Sequence, residues 1–268
     1  MTAAPGDDPP SGSQADDWDD HWQCYAAAAS LNPAQAFRRE LVLRELDLGR
    51  ARAPVRVLEL GSGQGDFALE LLRRYPGIEL VGLDRSQTGV AISQRKAPAA
   101  AFFMCDLEQP FGLAARFSGW ATHAVCSEVL EHVGDPAIVL QHLWPWLAPG
   151  GKLVITVPGG PKSAFDRHIG HRRHFDPRDL AALLQQAGFD VVRATGAGFP
   201  FFNLYRLAVI ASAERLVRSA GDPRFAQGSG ARLAARIVER VLHLSRRRSV
   251  WGWQRVACAI KPEGGTRT

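Results

Sequence analysis

The stretch Val57-Leu58-Glu59-Leu60-Gly61-Ser62-Gly63-Gln64-Gly65-Asp66 decides the fold of this chain. Its first residues form an apolar run that predicts a buried strand, and an amphipathic helical pattern begins at Asp66. Glycines stand at alternate positions between the two. Glycine adopts positive φ without strain and lets a ligand approach the backbone closely. The stretch therefore predicts a strand, a ligand-binding loop and a helix.

Short apolar runs and amphipathic segments continue to alternate on the C-terminal side of this stretch. Such alternation is typical of βαβ units and predicts an α/β fold with a doubly wound, mostly parallel, seven-stranded sheet. The predicted strands are 55–60, 78–84, 100–106, 122–127, 152–157, 189–194 and 253–261. The predicted helices are 66–75, one capped by Ser86, 135–147, one from Asp176-Pro177 to Gly188, 199–217 and 231–244. The last two form a helical insertion before the closing strand.

Composition bounds the class of protein. With 268 residues and 46% hydrophobic content, the chain can bury one substantial core. Its four cysteines, Cys24, Cys105, Cys126 and Cys258, lack the spacing of a metal knuckle or redox motif, so we expect reduced thiols. Because no secretory signal and no apolar run of about 18 residues is present, we expect a cytoplasmic protein.

The net charge of +5 is concentrated in late arginines, among them the run Arg246, Arg247 and Arg248. Such a basic stripe predicts contact of the C-terminal helices with a membrane surface, and thus a peripheral membrane location. The alternative is a solvated helix face. A small-molecule substrate is expected, and a nucleic-acid partner is not.

Asp84 and Asp66 narrow the choice of ligand for the glycine loop. Asp84 ends the second predicted strand, where a carboxylate can accept both hydroxyl hydrogens of a ribose. A dinucleotide fingerprint needs Gly or Ala three residues after Gly63, and Asp66 stands there. A carboxylate repels pyrophosphate at that helix N-terminus, so the pattern disfavours NAD and tolerates an amino-acid tail carrying a sulfonium.

These residues resemble the class I S-adenosylmethionine-dependent methyltransferase family, which has a Rossmann-like fold. Residues 59–65 match its first motif, and segments 127–132 and 147–153 match later landmarks. The resemblance implies S-adenosyl-L-methionine as cofactor, with Asp84 on the ribose and Asp106 near the adenine amino group. The implied cofactor-binding residues are Glu59, Gly61, Gly63, Gly65, Asp84, Arg85, Asp106, Leu107 and Ser127.

Composition and apolar patterning, together with the resemblance over the core, predict a division of the chain into five segments. Residues 1–20 are expected to be a disordered acidic tail, and 21–54 an N-terminal helical cap whose His21-Trp22 closes the pocket. Residues 55–196 would be the catalytic core that binds the cofactor. Residues 197–250 would form a helical lid, and 251–268 the closing strand and tail.

A cluster of ligand-type side chains follows the fourth predicted strand, where the crevice of an open α/β sheet lies. If Glu128 starts a helical turn, Glu131 and His132 share its face. His171, from the histidine-rich segment 166–175, is the predicted fourth ligand of a Mg²⁺, Mn²⁺ or Zn²⁺ ion. The set resembles small-RNA terminal 2′-O-methyltransferases and ubiquinone-biosynthesis O-methyltransferases. The alternative is that the glutamates are solvated and His132 packs beneath the cofactor without metal.

The expected activity is therefore O-methylation of a small hydroxylated metabolite, with His132 and His171 as the catalytic residues. The aromatic segment 199–205 would form an apolar substrate wall, a membrane-facing surface or simply core. Three alternatives stay open. They are a C-methyltransferase for a prenyl or aromatic substrate, an RNA 2′-O-methyltransferase that uses the late arginines on phosphates, and a non-catalytic module that binds S-adenosylmethionine.

Overall fold

The computed structural model describes residues 18–19, 22, 29–51, 54–112, 116–214 and 229–264, with side chains from 233 onward in the last range. Within these residues, seven strands form one sheet. The strands are β1 (Arg56–Leu60), β2 (Glu79–Asp84), β3 (Ala101–Met104), β4 (Ala121–Ser127), β5 (Leu147–Pro158), β6 (Asp190–Ala197) and β7 (Gln254–Ile260).

The sheet has the order β3-β2-β1-β4-β5-β7-β6. Its first five members pair in parallel, and β7 runs antiparallel to both β5 and β6. The predicted doubly wound, mostly parallel sheet is thus confirmed. Within the sheet, the chain passes from β1 outward to β2 and β3, and it then returns to β4 on the other side of β1. The carboxyl ends of β1 and β4 therefore border a crevice where the strand order reverses.

Eight helices of at least five residues lie within the described ranges. They are α1 (Pro33–Leu46), α2 (Asp66–Arg74), α3 (Gln87–Lys96), α4 (Pro136–Leu143), α5 (Ala164–His168), α6 (Pro177–Gln186), α7 (Phe201–Ala211) and α8 (Ser229–His243). As predicted, Ser86 caps α3 by accepting from the Gly89 amide, and Asp176 caps α6 with Pro177 at its first position. Side-chain oxygens there satisfy amides that have no partner within the helix.

The prediction of a helix over 135–147 is wrong at its C-terminal end. Helix α4 stops at Leu143, and β5 begins at Leu147 rather than at residue 152. Pro145 is the cause, since a proline has no amide hydrogen to continue the helical hydrogen bonds and its ring clashes with the carbonyl four residues earlier. Leu147 then pairs with Ala121 of β4 and is fully buried, so burial in the sheet replaces the continued helix.

The C-terminal insertion is helical as predicted, with different bounds. Helix α7 begins at Phe201, after Pro200, and ends at Ala211. Residues 215–217 of the longer predicted helix lie outside the described residues, as do Cys24, His21 and all of the predicted tail except Trp18 and Asp19. The other three cysteines are free thiols.

The apolar core occupies both faces of the sheet. Leu58 and Leu60 point to one face, where they belong to the cluster that includes residues of α4 and α6. Val57 points to the other face, in a cluster with α1 and α2. A third cluster joins α1 to α7 and α8 through Phe37, Phe202 and Leu242. In the part of the chain that is described, no helix is long and apolar enough to cross a membrane.

The substitution Leu58→Ala tests the assignment of this core. Leu58 is completely buried in the middle of β1, so its truncation should lower the free energy of unfolding by about 3 kcal/mol. Urea denaturation followed by circular dichroism measures the change. The control Val192→Ala removes an aliphatic side chain that is 62% exposed on β6, and it should cost less than about 1 kcal/mol. Equal losses for the two variants would contradict the assignment.

Candidate active site

The glycine loop between β1 and α2 needs glycine at three positions. Gly61, Gly63 and Gly65 have φ values of 73°, 53° and 78°, in the left-handed region that other residues avoid. A Cβ atom at Gly61 would lie 2.3 Å from Cγ2 of Val129, and one at Gly65 would lie 2.9 Å from the backbone of Ser93. The loop is therefore packed tightly against the turn after β4 on one side and against α3 on the other.

Asp84 links the end of β2 to this loop. Its carboxylate accepts hydrogen bonds from the amides of Gly63, at 2.6 Å, and Ser86, at 2.9 Å. Burial raises the pKa of Asp84 above its ordinary value, although these amides and Arg85 oppose the shift. Each carboxylate oxygen accepts one amide and keeps lone pairs for a ligand hydroxyl.

Glu59 lies behind the loop, on β1. It is 5% exposed, and its Oε2 atom has no hydrogen-bond partner among the described residues. Burial raises the pKa of Glu59 well above its ordinary value, and the charges of Asp84 and Asp66 raise it further. The side chain thus offers a buried carboxyl group directly beneath the glycine loop.

A cleft opens above the carboxyl ends of β1, β2 and β4. Six of the nine predicted cofactor residues line it, and three lie behind its wall: Glu59, Gly65 and Ser127, whose hydroxyl lies 2.7 Å from that of Thr156. The lining residues are Trp18, Trp22, Gly61, Gly63, Asp84, Arg85, Asp106, Leu107, Glu108, Glu128, Val129, His132 and Val133. The cleft thus combines carboxylates, glycine backbone and aromatic surface.

Two tryptophans from the N-terminal segment close one side of the cleft. The ring of Trp22 lies against the glycine loop, since a Cβ atom at Gly63 would be 2.6 Å from its Cζ2 atom. The ring of Trp18 meets that of His132 edge-on at 4.8 Å between centroids. Asp19 anchors the segment by accepting from the Ser86 hydroxyl at 2.6 Å and the Thr88 amide at 2.8 Å.

The contribution of Trp22 was expected from the sequence, but those of Trp18 and Asp19 were not. Both residues fall in the segment that its polar composition assigns to a disordered tail. An aromatic side chain in an otherwise polar, acidic stretch was the available signal, since Trp rarely remains solvated.

Glu131, His132 and His171 form a cluster at one end of this cleft. One ligand atom from each lies within 4.8 Å of the others, and the rings of the two histidines meet edge-on. Glu131 is fully buried, and neither of its carboxylate oxygens has a hydrogen-bond partner among the described residues. Burial, followed by the charge of Glu128, raises the pKa of Glu131 well above its ordinary value.

Glu128 does not share the surroundings of these three residues. Its φ of 56° is left-handed, so it does not start the helical turn on which its shared face with Glu131 depended. Its carboxylate lies 3.0 Å from Nε of Arg38 and accepts from Nε2 of Gln254 at 2.8 Å. Glu128 therefore lines the cleft as an ion-paired residue.

His171 is held by a chain of hydrogen bonds that leads away from the cluster. Nδ1 of His174 lies 2.9 Å from the carbonyl oxygen of Gly160, and Nδ1 of His171 lies 3.3 Å from Nε2 of His174. A carbonyl can only accept, so His174 donates from Nδ1 and accepts at Nε2, and His171 donates from Nδ1 in turn. Burial lowers the pKa of both histidines. His171 therefore keeps a lone pair on Nε2.

Asp166 and Arg206 support the same histidines from behind. Nη2 of Arg206 lies 2.9 and 3.0 Å from the two oxygens of Asp166, which is fully buried and lies 3.7 Å from Nδ1 of His171. Burial raises the pKa of Asp166, but the hydrogen bonds from Ser163 and the charge of Arg206 outweigh it, so the pKa falls. Because the guanidinium occupies its oxygens, Asp166 is an orienting group and not an open ligand.

Sequence reasoning found the histidines and missed Asp166, Arg206 and Arg38 in these roles. Asp166 and Arg206 are 40 residues apart in the chain. A single sequence carries no signal that pairs a carboxylate with an arginine so far away.

Known methyltransferases resemble this chain in sequence and in fold. A family model described as a methyltransferase domain matches residues 34–194. Over 124 residues the chain is 40% identical to demethylmenaquinone methyltransferase of Thermus thermophilus, covering 46% of this chain and 56% of that protein. Over 173 residues it is 26% identical to ubiquinone biosynthesis O-methyltransferase of Pseudomonas aeruginosa, covering 57% of this chain and 72% of that protein.

Among solved structures, phosphoethanolamine N-methyltransferase 2 of Haemonchus contortus superimposes with a TM-score of 0.60 at 17% identity. The match covers 94% of this chain and 61% of that one, and at this identity it shows a shared fold. The chain spans little more than half the length of the Thermus relative, 56%. The family model, by contrast, covers more than half of this chain. The chain therefore belongs to the class I S-adenosylmethionine-dependent methyltransferase family.

Proposed function

We propose that this protein transfers a methyl group from S-adenosylmethionine to a hydroxyl oxygen of a small hydroxylated metabolite, with the help of a divalent cation. The observation that carries the proposal is the place of His132. Its side chain lines the cleft beside the glycine loop and also belongs to the cluster with Glu131 and His171. A hydroxyl group bound next to His132 is thus close to both the loop and the cluster.

The cleft suits S-adenosylmethionine in shape and charge. Gly61 and Gly63 bring the loop backbone to the wall of the cleft, and Asp84 offers lone pairs at the position of a ribose diol. Asp106 and Leu107 lie on the same wall, and Trp18 and Trp22 add aromatic surface. When bound, the cofactor supplies a methyl group on an electrophilic sulfonium.

Glu131, His132 and His171 suit a divalent cation. A buried carboxylate whose oxygens lack hydrogen-bond partners is costly unless a cation or proton neutralises it. The lone pair that His171 retains on Nε2 can bind a metal ion. The hydrogen bond between Nδ1 of His171 and His174 is of the kind that orients metal-bound histidines. Two imidazoles and one carboxylate favour Zn²⁺ or Mn²⁺ over Mg²⁺, which prefers oxygen ligands. When bound, the cation lowers the pKa of a coordinated hydroxyl group.

The remaining chemistry falls to the residues of the chain. Methyl transfer is an in-line displacement, so the protein must hold the nucleophilic oxygen close to the methyl group and aligned with it. His132 lines the cleft and can accept the proton of that hydroxyl through the ring nitrogen that does not bind the cation. His171 could do so only where no cation occupies the lone pair on its Nε2. Burial of Glu131 and His171 keeps bulk water from the reacting oxygen.

The named activity of the Pseudomonas relative supports oxygen as the methyl acceptor. The 40% identity to the Thermus demethylmenaquinone methyltransferase favours a second candidate, methylation of a carbon atom in a prenyl or aromatic substrate. Both candidates use the same cofactor cleft, and they differ in the product.

Asp84→Ala should remove cofactor binding. The substitution deletes the carboxylate proposed to hold the ribose and frees the Gly63 amide, so we expect the affinity for S-adenosylmethionine to fall at least 30-fold from a micromolar value. Isothermal titration calorimetry measures it, with NAD⁺ as a second titrant. The control Asp190→Ala removes an exposed carboxylate at the opposite end of the sheet and should leave binding unchanged. Preference for NAD⁺ would refute the cofactor assignment.

His171→Ala should weaken metal binding. We expect the wild-type protein to bind one equivalent of Zn²⁺ or Mn²⁺, and the variant to bind it at least tenfold more weakly, because one of three ligands is lost. Equilibrium dialysis with elemental analysis reads the metal directly, without any activity assay. His243→Ala, at the C-terminal end of α8, serves as the control and should bind like wild type. Equal metal content in the His171 variant and wild type would remove the metal from the mechanism.

The product decides between the two candidates. Incubation with ¹³C-methyl S-adenosylmethionine and a panel of hydroxylated and quinone-type compounds should give a methyl ether, recognised by its carbon chemical shift in NMR. EDTA treatment should lower the rate at least tenfold. A methyl group attached to carbon would establish the second candidate, and binding of the cofactor without any product would favour a non-catalytic module.

A further inference from the structure

We infer that α8 and the arginine run after it form a surface that binds anionic phospholipid bilayers. This surface lies outside the cofactor cleft and the metal cluster, and none of its residues has a role in the proposed chemistry. The argument rests on an exposed apolar stripe, on the arginines next to it, and on how the two are held against the core.

Helix α8 carries apolar side chains on two opposite sides. Val238 and Leu242 face inward, where Leu242 is 1% exposed and packs with Phe37 and Phe202. A residue advances the helix by about 100°, so the positions of Leu233 and Ile237 fall on the side away from Leu242, and Leu244 directly follows the last residue of the helix. The side chains of Leu233, Ile237 and Leu244 are 61%, 53% and 71% exposed. One apolar side is thus used by the fold, and the other is left in water.

Exposed apolar side chains also lie beside α7, the helix that packs against α8. Asn203, at the start of α7, donates to the carbonyl of Trp251 at 2.7 Å and accepts from the Trp253 amide at 2.9 Å. These bonds hold Trp251 and Val250 next to α7, and both side chains are more than 60% exposed. A solvent-exposed tryptophan beside an apolar helix face is typical of proteins that insert into the headgroup region of a bilayer.

Positive charge surrounds the apolar stripe. Arg236 and Arg240 are exposed on α8 beside Ile237, where their long side chains can reach phosphates while the leucines enter the acyl region. An open cleft of about 800 Å³ lies at the C-terminal end of the helix. The arginines that line it are Arg44, Arg74, Arg246, Arg247 and Arg248, and Glu45 and Asp47 line it too. Arg44, Arg74 and Arg248 lie within ion-pairing distance of carboxylates. Within the described residues, no carboxylate lies within ion-pairing distance of Arg246 or Arg247.

This combination selects a bilayer over other occupants. A nucleic acid would use the arginines but would leave the leucine stripe in water, and an apolar protein partner would bury the stripe but leave the arginines unpaired. An anionic bilayer satisfies both, because its phosphates take the arginines and its acyl chains take the leucines.

Vesicle sedimentation with the full chain tests the inference. We expect the protein to pellet with sucrose-loaded vesicles of equal parts phosphatidylglycerol and phosphatidylcholine, and to stay in the supernatant with phosphatidylcholine alone. Binding should weaken between 50 and about 500 mM salt, because salt screens exposed charges. The double substitution Ile237→Ser with Leu244→Ser, and separately Arg247→Ala with Arg248→Ala, should each lower the partition coefficient at least tenfold.

Two matched controls separate this surface from general charge and hydrophobicity. Arg95→Ala with Arg178→Ala removes two exposed arginines elsewhere, and Val192→Ser removes an exposed apolar side chain on β6. Both should partition like wild type. All variants should keep the wild-type unfolding temperature and S-adenosylmethionine affinity, so failure of the proposed function would be seen independently of vesicle binding.

Several outcomes would overturn the inference. Failure of the wild-type protein to pellet with anionic vesicles is the first, and equal loss of binding in the control variants is the second. A dimer in light scattering that the Ile237 and Leu244 substitutions dissolve, without vesicle binding, would show that a second copy covers the stripe. Salt-sensitive binding of RNA with no vesicle binding would show that the arginines bind the phosphates of a nucleic acid and not those of a lipid.

Discussion

The hydrogen bond from the Gly63 amide to the Asp84 carboxylate, at 2.6 Å, holds together the part of the structure on which the site depends. It joins the loop after β1 to the end of β2, and the Ser86 amide adds a second bond to the same carboxylate. The backbone reinforces it, since the amides of Gly61 and Ser62 both donate to the carbonyl of Leu83. The loop can follow this path only with glycine, because its φ values are positive and its Cβ positions are occupied by neighbours.

From this junction the parallel sheet carries the remaining functional groups to one edge. The strand order reverses between β1 and β4, so the turn after β4 faces the glycine loop, and Glu131 and His132 lie in that turn. The segment after β5 then brings His171 to the same place. A carboxylate and two imidazoles thereby meet beside a cleft that also contains Asp84 and Asp106. No single element holds the site, and the convergence of strand ends creates it.

The buried charges around the site are arranged in pairs with distinct partners. Arg206 neutralises Asp166, and Arg38 neutralises Glu128, at distances of 2.9 and 3.0 Å. No hydrogen-bond partner reaches the Glu131 carboxylate among the described residues, and Nε2 of the His132 imidazole lies 4.0 Å from its Oε1 atom. Separating a buried ion pair would leave an uncompensated charge, so Asp166 and Glu128 stay with their arginines. Glu131 is therefore the carboxylate that remains available to bind a cation. The ion pairs thus distinguish the carboxylates that orient other residues from the carboxylate that is a candidate metal ligand, although all three are acidic side chains.

Patterns within short stretches of the sequence determined the fold and most of the cofactor cleft. The apolar strand, the alternating glycines and the carboxylate at the end of the next strand each depend on local backbone geometry and burial, which neighbouring residues encode. Residues 144–147 show that local patterns can also mislead. The apolar pattern through Leu147 predicted a continued helix, but Pro145 ends it and the helix stops at Leu143.

Only the tertiary structure decided which charged residues pair and which remain open. Gln254 meets Glu128 across 126 residues of sequence, and Arg206 meets Asp166 across 40. It also decided that Leu242 faces the core while Leu233 and Leu244 on or beside the same helix face water. These outcomes depend on the packing of α1, α7 and α8 against one another, and the spacing of residues along the chain contains no record of which surfaces meet.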